Sequence, residues 1–230
     1  MALCNSAARR AGIRGGTGEF MSKDKEIPRP AREERNAARR QQVLEAAQDC
    51  FLRSGFHGAS MAEISAAAGM SVGHIYHYFE NKDAIIAAII EQGVQHLSED
   101  FAEIGRGPDI ISAMIDHAGE VVRRQLDGKG PALSAEIFAE ASRNPNVRKV
   151  LQDADTKVHD IVRETIRRSG NLSDDETRLD ARMELIGAIF DGLEMRRIRN
   201  PNLPRDAVLA ELPRLMRYLL LGRADQDAKV

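Results

Sequence analysis

Between Ser71 and Tyr78 the chain reads Ser-Val-Gly-His-Ile-Tyr-His-Tyr, a run of hydroxyl, imidazole and phenol groups interrupted by Val72, Gly73 and Ile75. Two imidazoles spaced i, i+3, His74 and His77, are a pair that metals accept. No third ligand of suitable type lies nearby, and the flanking tyrosines suit a nucleic acid better. No nucleophile, base and orienter triple, no phosphate-cradling glycine loop and no metal signature occurs elsewhere. The acidic cluster Asp174-Asp175-Glu176 follows Ser173 and reads as favourable charge in the first turn of a helix. The chemistry on offer is therefore non-covalent: hydroxyls and imidazoles that can hydrogen-bond a partner. The expectation is a binding protein and not an enzyme, with no metal and no cofactor.

Such groups need a rigid element to present them. Val43, Ala46, Ala47, Cys50 and Phe51 fall at i, i+3, i+4, i+7 and i+8 and make one face of a first helix, which Gly55 ends. Ser60 caps a short helix from Met61 to Ala68, with Glu63 completing a capping box, and Gly69 stops it. Ser71 caps the next, Val72 to Tyr78, and Asn81 caps a fourth that begins near Lys82. Short helix, glycine turn, short helix is the pattern of a helix-turn-helix, whose second helix enters the DNA major groove. Ile64, Ala68, Val72, Ile75 and Phe79 are expected to point inward against Phe51 and Phe56. Ser71, Gly73, His74, Tyr76, His77 and Tyr78 are left to the outside.

Downstream, amphipathic segments run from about Lys82 to Ile104, Pro108 to Leu126, Pro131 to Ala141, Pro145 to Arg168, Ser173 to Ile198 and Pro204 to Leu221. Prolines 108, 131, 145 and 204 sit where a first turn tolerates them. The fold class is all-α: an N-terminal three-helix head over residues 31–81, then a helical body over 82–222 and a tail over 223–230. Residues 1–20 end in Gly15-Gly16-Thr17-Gly18-Glu19-Phe20 before Met21 and read as a cloning-derived tail, with a basic arm at 21–30.

Composition agrees with a protein that meets a polyanion at one end. The 230 residues hold 33 Lys+Arg against 35 Asp+Glu, a net charge of −2, with 43% hydrophobic and 4% aromatic residues. Up to residue 40 there are ten basic and five acidic side chains, so the acidic excess lies in the remainder. The longest apolar run, Ala84 to Ile90, falls far short of the roughly 20 residues that span a bilayer. Cys4 and Cys50 support neither a disulfide framework nor a metal cage, which points to a reducing, cytoplasmic setting.

The stretch from Phe51 through Gly55-Phe56-His57-Gly58 and Ser60-Met61, then Ile64, Ala68-Gly69-Met70-Ser71 and Val72 to Phe79, ending in Asn81-Lys82-Asp83, resembles the DNA-binding domain of the tetracycline-repressor (TetR) family. Weaker similarity at Phe138 to Pro145 and Ile189 to Leu193 looks like the drug-efflux-repressor branch. The resemblance implies that Ser60 and Ser71 cap their helices and offer hydroxyls to phosphate. It implies that Tyr76 and Lys82 anchor phosphates, that Gly73, His74 and His77 face base edges, and that Val72 reaches a thymine methyl. Tyr78 stands where the family often has His, with a phosphate role. The implied partners are a double-stranded DNA operator, a second copy of the chain and an unidentified small-molecule effector.

A single helix-turn-helix buries little surface, so a homodimer reading two half-sites is expected. Two apolar stripes are candidates for its interface: Met183, Ile186, Ile189, Phe190 and Leu193, and Leu212, Leu215, Met216, Leu219 and Leu220. By resemblance the middle helices enclose an effector pocket, for which Met114, His117, Glu136 and Phe138 are the candidates. The expected function is a dimeric, ligand-responsive repressor on a palindromic operator. A DNA-binding regulator or architectural protein without an inducer is the alternative.

Overall fold

The computed structural model describes residues 29–127, 130–170 and 176–221, which form nine helices and no strand. The expected tails, most of the basic arm, Cys4 and the Ser173 cap lie outside the described residues. The head consists of α1 (Arg29–Gly58), α2 (Met61–Ala67) and α3 (Val72–Tyr78); α4 (Lys82–Ile104) leads out of it. The body adds α5 (Ile110–Asp127), α6 (Gly130–Arg143), α7 (Pro145–Arg168), α8 (Glu176–Arg199) and α9 (Arg205–Leu221).

Local signals account for the tight geometry of the head. Gly55 takes φ 70 and ψ 168, a left-handed break that only glycine adopts without strain, and redirects the last turn of α1. Ser60 Oγ accepts the Glu63 backbone N–H at 3.1 Å while Glu63 Oε2 accepts the Ser60 N–H at 2.7 Å, the reciprocal box that starts α2. Gln42 of α1 donates its side-chain N–H to the Ala68 carbonyl at 2.7 Å, fixing the end of α2 against α1. Asn81 Oδ1 accepts from the Ala84 N–H at 2.8 Å and begins α4.

Two apolar cores result. One joins α1 to α3, the first half of α4, α6 and the start of α7, with Phe51, Ile64, Ile75, Ile86 and Ile137 at its centre. The other joins the end of α4 to α5, α8, α9 and the end of α7 through Phe101, Val122, Ile166, Leu179 and Met216. The first core runs across residues 81 and 82, so α4 and α6 are packed into the head as well as the body. At about 1.5 Å per residue α4 is roughly 35 Å long, enough to reach both cores. It runs beside α7 in the same direction and is tied at both ends. Asn144 Nδ2 donates to Asp83 Oδ2 at 2.9 Å at one end, and Arg168 Nη2 donates to the Gly105 carbonyl at 2.6 Å at the other. A side chain at Gly105 would meet Arg168 Nη1 at 2.8 Å, so the guanidinium would have to shift to make room for it.

Candidate nucleic-acid interface and effector cavity

Helix α3 is held by one side and presents the other. Ile75 is 0% exposed and Phe79, one turn on, is 3% exposed; both are locked into the head core. Ser71 accepts the His74 N–H at 3.3 Å and fixes the start of the helix. Ser71, Val72, Gly73, His74, Tyr76 and His77 are exposed. Val72, expected on the inward face, is 42% exposed and so stands with the outward set. Tyr78, expected outside, is half-buried: its ring packs on the head core and lies 5.3 Å from each of the His74 and His77 rings. It props the two imidazoles, and its i+4 and i+1 spacing to them is why.

Two of the expected phosphate anchors are occupied within the chain. Ser60 Oγ donates to Glu63 Oε2 at 3.0 Å in addition to its capping bond, so its hydroxyl proton is committed. The Glu63 carboxyl is held below its ordinary range, first by the Ser60 backbone N–H and then by that hydroxyl. Lys82 Nζ donates to the Phe56 carbonyl at 2.5 Å and to the Ala59 carbonyl at 2.7 Å, and sits 4.6 Å from the centre of the Phe56 ring. Two of the ammonium's three N–H groups thus bind α4 to the end of α1, leaving one for anything else. Beside the head, Arg32 to Arg40 lie on the exposed first half of α1, where Arg40 stacks 4.9 Å from the Phe79 ring centre.

A cavity of about 340 Å³ opens in the body. Phe101 of α4, Met114 and His117 of α5, Met183, Ile186 and Phe190 of α8, and Met216 and Leu220 of α9 make its apolar wall. Of the four residues expected at an effector pocket, Met114 and His117 are placed on this cavity. Glu136 and Phe138 are not. Both lie on α6, and Glu136 Oε2 accepts the Phe56 backbone N–H at 3.2 Å, at the junction with the head. One turn on, the 2% exposed Glu140 holds its Oε2 2.9 Å from His57 Nε2 and accepts from Asn144 Nδ2 at 3.1 Å. Sequence reasoning missed this junction because its partners, Phe56 and Glu136, are 80 positions apart and one of them is a backbone N–H.

The expected dimer stripes divide. Leu212, Met216 and Leu219 are 3–5% exposed, buried within one copy of the chain. Ile186 and Phe190, both half-buried, line the cavity. Ile189, Leu193 and Leu215 line an open groove with Tyr218. The large apolar side chains that remain outside on α8 and α9 are Leu185, Ile198, Leu215 and Tyr218, each 42–55% exposed. Among the described residues, no group of three or more His, Cys, Asp or Glu is placed to hold a metal, and no helix is long and apolar enough to cross a membrane.

A three-helix head with a capped, solvent-facing third helix, set on a helical body, defines a helix-turn-helix DNA-binding protein. Comparison with known proteins carries this further. Residues 43–89 match the family described as bacterial regulatory proteins, tetR family, and residues 110–218 match the tetracyclin repressor-like C-terminal domain. The chain is 30% identical over 184 residues to the HTH-type transcriptional regulator UidR of Escherichia coli (strain K12), a match covering 77% of this chain and 90% of that relative. It is 26% identical over 160 residues to the HTH-type transcriptional repressor AcnR of Corynebacterium diphtheriae, covering 69% and 80%. Among solved structures, Salmonella enterica GusR superposes with a TM-score of 0.64 at 26% identity, covering 80% of this chain and 95% of that one. FadR from Bacillus subtilis, solved in complex with stearoyl-CoA, shares the fold at 16% identity with a TM-score of 0.62, covering 80% and 98%. The chain belongs to the TetR family of bacterial transcriptional regulators, DNA-binding proteins and not enzymes. These likenesses support the family as a whole without singling out its drug-efflux branch.

Proposed function

We propose that the chain is a ligand-responsive transcriptional repressor that works in the cytoplasm as a homodimer on a palindromic operator. The observation that carries this reading is the two-sidedness of α3, anchored by Ile75 and Phe79 while Val72, Gly73, Tyr76 and His77 face outward. In the groove, Gly73, His74 and His77 meet base edges and Val72 a thymine methyl. Tyr76 and Ser71 bind phosphates. The Lys82 ammonium contributes chiefly by fixing the head against α4. Residues 31–81 act as the reading head and 82–222 as the effector and dimer domain.

Pairing through the exposed side chains of α8 and α9 supplies the second half-site, and two recognition helices about 34 to 36 Å apart then enter successive major grooves. A promoter covered in this way is closed to polymerase; the name of the corynebacterial relative, a repressor, supports that sign of control. The cavity takes the effector. Helix α8 lines it and also packs on α6, and α6 in turn holds the head through Glu136 and Glu140. An effector that weakens DNA binding 100-fold must favour the released conformation by about 2.7 kcal/mol.

The test is selection of duplexes from a fragmented genomic library at physiological salt by the full chain. Enrichment of an inverted repeat is the expected result. Retention of DNA with no shared motif would favour an architectural role, and no retention would contradict the proposal.

A further inference from the structure

The two ends of the body differ in charge. Helix α4 leaves the head at Lys82 and reaches Gly105, where Arg168 closes the end of α7. Helix α8 starts at that far end, since its Asp180 pairs with Arg163 of α7, and α5 starts there too, at Ile110. Both run back toward the head. Gln125, near the end of α5, donates to Glu194, near the end of α8, at 2.9 Å. Glu194 also hydrogen-bonds Ser134 of α6, one turn or less before the Glu136 that holds the Phe56 N–H of the head. The ends of α5 and α8 therefore meet on the head side of the body. Over residues 120–127 and 194–206, which form this junction, six arginines stand against four acids, whereas residues 99–110 and 163–180 at the far end hold five basic and nine acidic side chains.

Arg123 and Arg124 of α5 and Arg196 and Arg199 of α8 are exposed at this junction, and of the acids Glu194 is buried. Arg124 lies 4.0 Å from Glu120. Arginine in a last turn offsets the partial negative charge of a helix C-terminus, but that charge is roughly half a unit per helix, so two termini leave most of the arginine charge over. We infer that this arginine cluster is a second DNA-contacting surface, which meets the phosphate backbone of the duplex between the half-sites while α3 reads the grooves. The placement rests on the pairing through α8 and α9 proposed above, which brings both copies of the cluster near the two-fold axis, between the reading heads. Guanidinium groups bind phosphate oxygens whatever the base beside them, so the cluster adds affinity and not sequence preference. The acidic far end repels the same polyanion and keeps it to the head side.

The experiment measures binding of the full chain to a random-sequence duplex of about 40 base pairs across a series of salt concentrations, with sedimentation and melting of each variant in parallel. Two double variants neutralise the cluster, Arg196→Gln with Arg199→Gln, and Arg123→Gln with Arg124→Gln. A third, Arg106→Gln with Arg178→Gln, removes the same charge from exposed positions at the far end. Each cluster pair should weaken binding at least fivefold at about 100 mM salt and flatten the log–log salt slope by about 2 to 4, since each dimer loses four arginines. Both should stay dimeric and melt close to the parent. The far-end pair should change affinity less than twofold. Equal loss from the far-end pair, unmoved slopes in the cluster pairs, or a loss that tracks dissociation of the dimer overturns the inference. Capture by phosphatidylserine vesicles that the cluster pairs abolish, with DNA binding intact, would assign the arginines to a lipid surface and overturn it too. A parent that is monomeric or retains no DNA overturns the functional reading and this inference with it, whereas a dimeric, DNA-binding parent with unmoved variants overturns this inference alone.

Discussion

Tyr76 and His77 are neighbours on α3, yet they should fail differently when changed. A phenol hydroxyl on a phosphate adds affinity on every sequence, whereas an imidazole on a base edge adds it only on the right one. Tyr76→Phe is expected to weaken binding about equally on operator and random duplexes. His77→Ala is expected to relax preference at one base position by about 1 to 3 kcal/mol, as read by competition with single-base operator variants. The opposite pattern would reassign the two. Lys82 belongs to a third kind. The family resemblance implied a phosphate, but a resemblance cannot show where a long side chain ends, and here two of the ammonium's N–H groups bind the Phe56 and Ala59 carbonyls. Lys82→Ala should therefore lower the melting temperature, by about 2 to 8 °C for a loss of about 1 to 2 kcal/mol, and should do so in the absence of DNA. An unchanged melting temperature with weaker DNA binding would restore the anchoring role.

At the scale of elements, the helices that were legible are those whose ends carry their own chemistry. Ser60, Ser71 and Asn81 accept a backbone N–H two or three residues inside α2, α3 and α4, and Pro145 opens α7, so local sequence suffices to place them. Which way a helix faces is a different matter. Helix α8 has apolar residues on more than one side, with Met183, Ile186 and Phe190 on the cavity and Leu185 and Ile198 in solvent. A periodicity of 3.6 finds the stripes but not what covers each of them. The same helix hides Glu194, 1% exposed, hydrogen-bonded to Gln125 of α5 at 2.9 Å and to Ser134 of α6. Burial raises its pKa, with the two hydrogen bonds opposing. The folded chain then holds a proton that the unfolded chain releases above the ordinary glutamate range, so this residue's contribution to stability falls as pH rises through the raised pKa. Glu194→Gln should remove that slope and raise the melting temperature at pH 7.5. A variant less stable than the parent at pH 7.5 would show that the carboxylate is needed ionised.

For the whole molecule, two cores are joined through α4 and α7, which contribute to both, and an exposed apolar face lies on α8 and α9. Leu215 is 42% exposed on that face, so Leu215→Arg disturbs little within one copy. It should give a monomer by sedimentation and weaken operator binding, while melting close to the parent. A dimer that survives the change would move the interface elsewhere. Binding by such a dimer, neutralising roughly eight phosphates, should show a log–log salt slope of about −7. The most direct test of two-fold reading by paired α3 helices is to move the operator's halves apart, measuring affinity as one to ten base pairs are inserted at the centre. Affinity should collapse at five inserted pairs, where the second half-site faces away from its helix. Affinity independent of the insert would contradict it.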